Sequence, residues 1–285
     1  MKNFIIRTVT GVAFVAVMVG GILYSPITCG LLFLLINILS VWEFTGLVNS
    51  RADVQVNRFI TTVAGACLYL GVFGFVVGVH DAPPLFLPWL ASIAYLLIAE
   101  LYLRRDNPIN NWAYTMMAQI YVALPFSLLT IVAFAGLPGF MADTTEGCDF
   151  MGLYYILAIF VLLWCNDTGA YCTGSLIGRH KLFPRISPGK TWEGSVGGAV
   201  LAVAASQVFA HFVPTLTALQ WAGFAIVVVV FGTWGDLVES LLKRQLGVKD
   251  SGNILPGHGG MLDRFDSSLL AIPATVVYLS LLSLI

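Results

Sequence analysis

Long apolar segments separated by short polar connections run along the whole chain. A bilayer core requires about 20 apolar residues of helix, and most of these segments are close to that length. Prolines such as Pro26, Pro138 and Pro214 mark the gaps between segments, because proline interrupts a helix. The pattern predicts nine transmembrane helices. The expected spans are 8–24, 27–48, 59–79, 85–103, 112–137, 151–171, 192–213, 219–242 and 266–285.

Composition supports this prediction. Of the 285 residues, 58% are hydrophobic and only 10% are charged, whereas soluble domains carry roughly 25% charged residues. Too little polar surface remains to cover a water-soluble globule, so much of the surface must face lipid. We expect an all-α polytopic membrane protein, a single transmembrane domain over 1–285. Its N-terminal part, 1–150, holds spans one to five, and 151–285 holds spans six to nine.

The basic residues predict an orientation. All 14 lysines and arginines fall in alternate connections, and acidic residues such as Asp81 and Asp143 lie in the others. Because cytoplasmic connections are enriched in lysine and arginine, the N-terminus is expected in the cytoplasm and the C-terminus outside. The formal net charge of −1 predicts no strongly acidic partner such as a nucleic acid.

Acidic side chains lie near the predicted cytoplasmic ends of spans six and eight. Asp167 belongs to span six. Asp236, Glu239, Ser240 and Lys243 in span eight share one helix face, because they follow i, i+3, i+4, i+7 spacing. Acids that face lipid raise the free energy of insertion. We therefore expect a hydrated cavity, with a structural Asp–Lys pair between helices as the alternative.

The connection before span seven contains Ser187, Pro188, Lys190 and Thr191. Ser187 suits an N-cap and Pro188 the first position of a helix. This start would place free N–H groups beside Lys190 and Thr191, where an anion such as phosphate could bind. A capped helix with a basic flank is the alternative interpretation.

The connection before span nine is rich in glycine and charge. Asp250 and Asp263 offer hard oxygen ligands, and Mg²⁺ uses one or two carboxylates together with phosphate oxygens. Gly259 and Gly260 permit unusual backbone angles and close approach to a ligand. Arg264 can form a bidentate contact with phosphate. This connection is the strongest candidate for a catalytic loop.

Three further residues have a structural expectation. Asp266 is expected to cap span nine. His258 is expected to bind or shape the loop rather than act as a base, because a phosphate nucleophile is already substantially ionised at neutral pH. Glu43 is expected to be a snorkelling carboxylate at the end of span two, with support of a neighbouring functional residue as the alternative.

The residues from Ser240 to Asp266 resemble the signature of the phosphatidate cytidylyltransferase family, also called CDP-diacylglycerol synthases. That signature reads Ser-x-x-Lys-Arg, four residues, Lys-Asp, and then His-Gly-Gly-x-x-Asp-Arg-x-Asp. The chain departs from it at no position, since Lys243-Arg244, Lys249-Asp250 and 258–266 all match. The motifs at 167–171 and 187–194 also resemble family motifs.

The resemblance implies that CTP and phosphatidate give CDP-diacylglycerol and pyrophosphate, by attack of the lipid phosphate on the α-phosphorus of CTP. It implies Mg²⁺, with a second cation such as K⁺. The metal ligands map onto Asp236 and Asp263, with Asp167 and Asp250 as further candidates, and Lys243 and Arg264 join Asp236 and Asp263 as catalytic candidates. The expected substrate-binding residues are Ser187, Lys190, Thr191, Ser240, Arg244, Lys249, His258, Gly259 and Gly260.

The resemblance also sets the expected surroundings. CTP is expected from the cytoplasm and phosphatidate from the bilayer, at a bacterial-type inner membrane, and the family resemblance suggests a homodimer. The main alternative is a secondary transporter, because transporters also carry intramembrane acids and interrupted helices. The polar groups favour the enzyme, since they cluster on one side and in one half of the chain. A scaffold protein would leave the dense Asp/Lys/Arg/Gly loop unexplained.

Overall fold

The computed structural model describes residues 2–77, 83–134, 151–252, 254 and 259–284. Within them, eight helices are long and apolar enough to cross a membrane, and Thr8–Leu23 is a shorter apolar stretch of the first helix. The predicted all-α polytopic membrane architecture is confirmed, and the orientation of the termini stays a prediction. Several predicted features lie outside the described residues: the span ends at 78–79, 135–137 and 285, Asp81, Asp143, and His258.

The helix bounds follow the hydrophobic pattern. The α-helices are α1 (Lys2–Leu23), α2 (Pro26–Val48), α3 (Arg58–Val76), α4 (Leu87–Leu103), α5 (Pro108–Met117), α6 (Leu124–Phe134), α7 (Met151–Ile177), α8 (Trp192–Phe212), α9 (Ala218–Gln245) and α10 (Leu262–Leu282). A 3₁₀ turn, Pro83–Phe86, precedes α4, and a π-helical segment, Ala118–Ala123, joins α5 to α6.

The chain forms two compact units. Unit one comprises Met1–Ala135 and Gln245–Phe265, and unit two comprises Gly136–Arg244 and Asp266–Ile285. In unit one, buried amides join neighbouring helices. Asn37 Nδ2 donates to Gly65 O (3.1 Å), and Gln119 Nε2, in the π-helical segment, donates to Thr61 O (2.9 Å). Such bonds satisfy polar groups that lipid cannot solvate.

In unit two, α7 and α8 approach each other through glycines. A Cβ at Gly169 would lie 2.9 Å from Gly198 Cα, and a Cβ at Gly197 would lie 2.2 Å from Thr173 Oγ1. Small residues allow transmembrane helices to pack closely without a hydrophobic driving force. This close packing of α7 against α8 fixes the position of the polar C-terminal end of α7.

A β-hairpin precedes α8, and the sequence interpretation of this segment was wrong. Strand β1 (Lys181–Phe183) pairs antiparallel with β2 (Ser187–Thr191), so Ser187 is no N-cap. The true N-cap is Thr191, whose Oγ1 accepts a hydrogen bond from Gly194 N (3.1 Å). Cross-strand pairing keeps the backbone extended through residues 187–191, and the helix starts only at Trp192.

The start of α10 also differs from expectation. The helix begins at Leu262, so Asp266 lies inside it and does not cap it. Residues 262–265 belong to unit one, where Phe265 is buried against Phe14 and Phe126 at ring-centroid distances of 5.9 and 5.6 Å. The helix starts earlier because side-chain oxygens accept hydrogen bonds from the backbone N–H groups at its N-terminus.

Candidate active site

In unit one, backbone amides hold the carboxylate of Asp263. Its Oδ2 accepts hydrogen bonds from Ser251 N (2.9 Å) and Gly260 N (2.8 Å). Gly259 has φ +83°, and a Cβ there would lie 2.7 Å from the same oxygen. Only glycine suits both the backbone angle and the space. The Gly-Gly pair of the signature thus lets the loop close around a carboxylate.

Glu43 lies beneath this loop and is buried, with 5% of its surface exposed. Its Oε2 accepts from Met261 N (2.7 Å) and its Oε1 from Leu262 N (3.2 Å), and the hydroxyl of Ser251 donates to Oε1. The expected snorkelling role is therefore wrong, because the carboxylate finds its donors inside the protein. A Cβ at Gly260 would lie 1.7 Å from Glu43 Oε1, so this glycine permits the contact.

The backbone amides just before and at the start of α10 are engaged within unit one. Gly260 N donates to Asp263, Met261 N and Leu262 N donate to Glu43, and Asp263 N donates to Ser251 Oγ (3.3 Å). An exposed helix N-terminus could bind phosphate directly, but side chains already occupy these N–H groups. At this helix start, phosphate contacts must therefore come from side chains. Two exposed candidates are Lys249 and Arg264.

In unit two, a lysine of the hairpin holds the carboxylate of Asp236. Lys190 Nζ lies 2.6 Å from Asp236 Oδ2, and Ser240 Oγ donates to Asp236 Oδ1 (3.1 Å). The side chains of Lys190 and Asp236 are 25% and 29% exposed. The Asp–Lys pair considered from the sequence is present, but its lysine comes from β2 rather than from a transmembrane helix.

The polar face of α9 is as predicted. Ser240 bonds Asp236 one turn before it, and Lys243 Nζ lies 2.6 Å from Glu239 Oε2 at the next i,i+4 step. Glu239 has no exposed surface and Lys243 has 12% of its side chain exposed. Lys243 is thus positioned by a buried acid, and Arg244 beside it is exposed.

A cavity of about 420 Å³ opens between α7, β2 and α8. Three predicted site residues, Asp167, Lys190 and Thr191, line it, and Ser187 lies half-buried in the same strand as Lys190. Residues that the sequence interpretation missed line it too: Asn166, Tyr171, Ser175 and Ser195. Ser195 could have been found, since it lies one helical turn after Thr191.

The donor set agrees with Mg²⁺ chemistry. Within the described ranges, no group of three or more His, Cys, Asp or Glu residues is arranged to hold a metal ion. Mg²⁺ does not require such a cage, because one or two carboxylates and substrate phosphates suffice. Asp167 and Asp236 of unit two, and Asp250 and Asp263 of unit one, supply suitable oxygens.

Carboxylates, lysines and hydroxyls on a helical membrane scaffold are the chemistry expected of a membrane-embedded nucleotidyltransferase. The chain belongs to the cytidylyltransferase family, whose sequence model matches residues 5–282. The resemblance found in the signature is therefore confirmed.

Relatives match over most of the chain. One from Haemophilus influenzae is 31% identical over 283 residues, which cover 90% of this chain and 92% of the relative. A Staphylococcus aureus relative is 33% identical over 247 residues, covering 85% and 87%. A Staphylococcus saprophyticus relative is 40% identical over 201 residues, covering 66% and 77%. All three are named phosphatidate cytidylyltransferase.

Proposed function

We propose that this protein transfers the cytidylyl group of CTP to phosphatidate, giving CDP-diacylglycerol and pyrophosphate. The observation that carries the proposal is the match over nearly the whole chain to enzymes named phosphatidate cytidylyltransferase. The geometry supports it, because backbone N–H groups of Ser251 and Gly260, two residues of the signature region, hold the carboxylate of Asp263. Membership in this family favours the enzyme over the transporter considered from the sequence.

In the proposed reaction, an oxygen of the phosphatidate phosphate forms a bond to the α-phosphorus of CTP. The bond from that phosphorus to the bridging oxygen of pyrophosphate breaks, and pyrophosphate leaves with the electron pair. The attacking phosphate is substantially ionised at neutral pH. The protein therefore needs to position two polyanions and stabilise charge rather than remove a proton, as in other phosphoryl transfers.

The cavity of unit two suits phosphate groups. Lys190 brings a cation, Thr191 and Ser195 bring hydroxyls, and Asp167 brings a carboxylate to the same 420 Å³ space. We propose that Lys190 and Thr191 bind phosphate there and that Ser187, in the same strand, supports them. Because the ammonium of Lys190 also contacts Asp236, it can be shared between carboxylate and substrate.

The remaining predicted site residues have matching chemistry. We propose that Lys243 and Arg264 stabilise charge during transfer and that Arg244 and Lys249 bind phosphates. The supporting residues are Ser240, which bonds Asp236, and Gly259 and Gly260, which close the loop on Asp263. His258 is proposed to contribute to substrate binding.

Asp236 and Asp263 would hold Mg²⁺, with Asp167 and Asp250 as further oxygen donors and K⁺ as a candidate second cation. When bound, Mg²⁺ neutralises charge on the triphosphate and polarises the phosphoryl group under attack. Each of these two aspartates is half-buried, and even one carboxylate is enough for Mg²⁺ when phosphates complete its coordination.

The proposed setting is a bacterial-type inner membrane with the site facing the cytoplasm. CTP then arrives from water and phosphatidate from the bilayer. The one-sided distribution of lysine and arginine supports this orientation. A homodimer remains part of the proposal through the family resemblance.

The test is turnover by the purified, folded protein in detergent under reducing conditions with Mg²⁺, CTP and phosphatidate. We expect lipid-linked CDP and an equal amount of pyrophosphate, and neither product when Mg²⁺ is chelated. A folded preparation that forms no lipid-linked CDP would contradict the proposal. Replacing phosphatidate with diacylglycerol is the matched control, because it removes the attacking phosphate.

A further inference from the structure

We infer that Glu43, on α2, is a positioning residue for Asp263. The inference rests on the proposed function of Asp263 as a metal ligand. Glu43 lies far from the signature in sequence, at a separation of 208 residues from Ser251 and 218 from Met261. It nevertheless holds the segment on either side of the Gly259-Gly260 pair.

The contacts form a closed circuit. Glu43 accepts from Met261 N, Leu262 N and the Ser251 hydroxyl. Ser251 in turn donates its backbone N–H to Asp263 Oδ2 (2.9 Å), and its Oγ accepts from Asp263 N (3.3 Å). Moving Glu43 would therefore displace both the backbone and the carboxylate of Asp263.

Burial makes this circuit stiff. An uncompensated buried carboxylate is strongly unfavourable, so Glu43 is stable only with its donors in place. Its negative charge also lies at the N-terminus of α10, where the helix dipole favours an anion. Gly252 packs on the same carboxylate, since a Cβ there would lie 2.8 Å from Glu43 Cδ. Ser251, Gly252 and Gly260 thus all lie close to this carboxylate.

Glu100 provides a contrasting buried acid in the same unit. It is 8% exposed, and it binds Arg105 Nη1 (2.7 Å) and Asn111 Nδ2 (3.0 Å). These partners lie on or beside α4 and α5 rather than in the signature loop. Glu100 thus matches Glu43 in burial and chemistry while holding a different part of the unit.

The first experiment compares Glu43→Gln with Glu100→Gln. Glutamine keeps the size of glutamate but replaces one acceptor oxygen with an NH₂ group, which faces an N–H of Met261 or Leu262. We expect the Mg²⁺ concentration for half-maximal turnover to rise about tenfold in Glu43→Gln, because residues that orient metal ligands have effects of this size. Maximal turnover at saturating Mg²⁺ should fall less, and Glu100→Gln should leave the half-saturating Mg²⁺ unchanged.

The second experiment needs no turnover. Amide hydrogen exchange in peptides covering residues 259–265, measured without Mg²⁺, should accelerate about tenfold in Glu43→Gln and stay unchanged in Glu100→Gln. Ser251→Ala, which breaks the circuit at another point, should accelerate exchange in the same peptides by a smaller factor. This variant keeps the test decisive if Glu43→Gln does not fold.

The two proposals can fail separately. A wild-type protein that makes no CDP-diacylglycerol would refute the proposed function, while the exchange experiment would still decide whether Glu43 holds the loop. Lower turnover in Glu43→Gln with an unchanged half-saturating Mg²⁺ would overturn the positioning role. Unchanged exchange in both Glu43→Gln and Ser251→Ala would overturn it as well.

Discussion

The two principal candidate carboxylates, one in each unit, are held by different kinds of donor. In unit one, backbone N–H groups of Ser251 and Gly260 bind Asp263. In unit two, side chains of Lys190 and Ser240 bind Asp236. Backbone donors have no rotamers to lose, whereas a lysine can rotate its ammonium to another anion.

This difference suggests a division of tasks. Two backbone N–H groups hold Asp263, and we expect its orientation to be the same with and without substrate. Asp236 shares its half-buried lysine with the cavity, so its electrostatic surroundings can change when phosphate enters. Preorganised groups that stabilise transition-state charge need no reorganisation during the reaction.

The largest loss of turnover is expected when the charge of Asp263 or that of Asp236 is removed. Asp263→Asn and Asp236→Asn should each lower turnover about 100-fold at limiting Mg²⁺, because a metal contributes several kcal/mol of charge stabilisation and each 1.4 kcal/mol is tenfold. In Asp263→Asn the amide oxygen can still accept from Ser251 N and Gly260 N. The hydrogen-exchange rates of peptides covering residues 259–265 should therefore stay unchanged. Near-normal turnover in either variant would remove that residue from the proposed metal site. Asp53→Asn, in an exposed pair with Arg51 (2.8 Å), is the control.

An intermediate effect is expected from Lys190→Gln. The variant removes the cation that Asp236 and the cavity share, so the KM for CTP should rise about tenfold, the equivalent of one charge-assisted hydrogen bond. Exchange in peptides covering residues 259–265 should not change, because Asp263 has backbone donors. Lys181→Gln, an exposed lysine in the partner strand β1, should leave the KM unchanged. An unaltered KM in Lys190→Gln would show that the lysine serves Asp236 alone.

The smallest effect is expected from Ser240→Ala. It removes one neutral donor from Asp236, at 3.1 Å, and leaves the ion pair with Lys190. One such hydrogen bond contributes about 1 kcal/mol, so turnover at limiting Mg²⁺ should fall about fivefold. Ser92→Ala, whose hydroxyl bonds Pro88 O one turn earlier, should match the wild type. A loss as large as that of Asp236→Asn would mean that Ser240 acts on the substrate directly.

Local sequence predicted the elements whose causes are local. Apolar length located the transmembrane helices, and helical spacing placed Asp236, Ser240 and Lys243 on one face. Both follow from near neighbours along the chain. The sequence predicted a hydrated cavity for Asp167 and an anion site at Lys190 and Thr191, but not that the three residues line one cavity.

Sequence reasoning failed where a partner outside the segment itself decides the structure. The local sequence at Ser187 and Pro188 predicts a helix start, but pairing with β1 holds both residues in a strand. The local sequence predicts that Asp266 caps the helix. Instead, the carboxylate of Glu43 accepts hydrogen bonds from the amides of Met261 and Leu262. A separation of more than 200 residues leaves no periodic signal that could reveal such a partner.

The same contact has a consequence for biosynthesis. Glu43 is made 208 residues before Ser251, which at 5–20 residues per second corresponds to about 10–40 s of translation. During that interval α2 has been synthesised, while the groups that later donate hydrogen bonds to Glu43 have not. We expect the end of α2 to remain at the water interface, or against the insertion machinery, until the last span is synthesised. The residues around Asp263 and the end of α2 then reach their final positions in one late step.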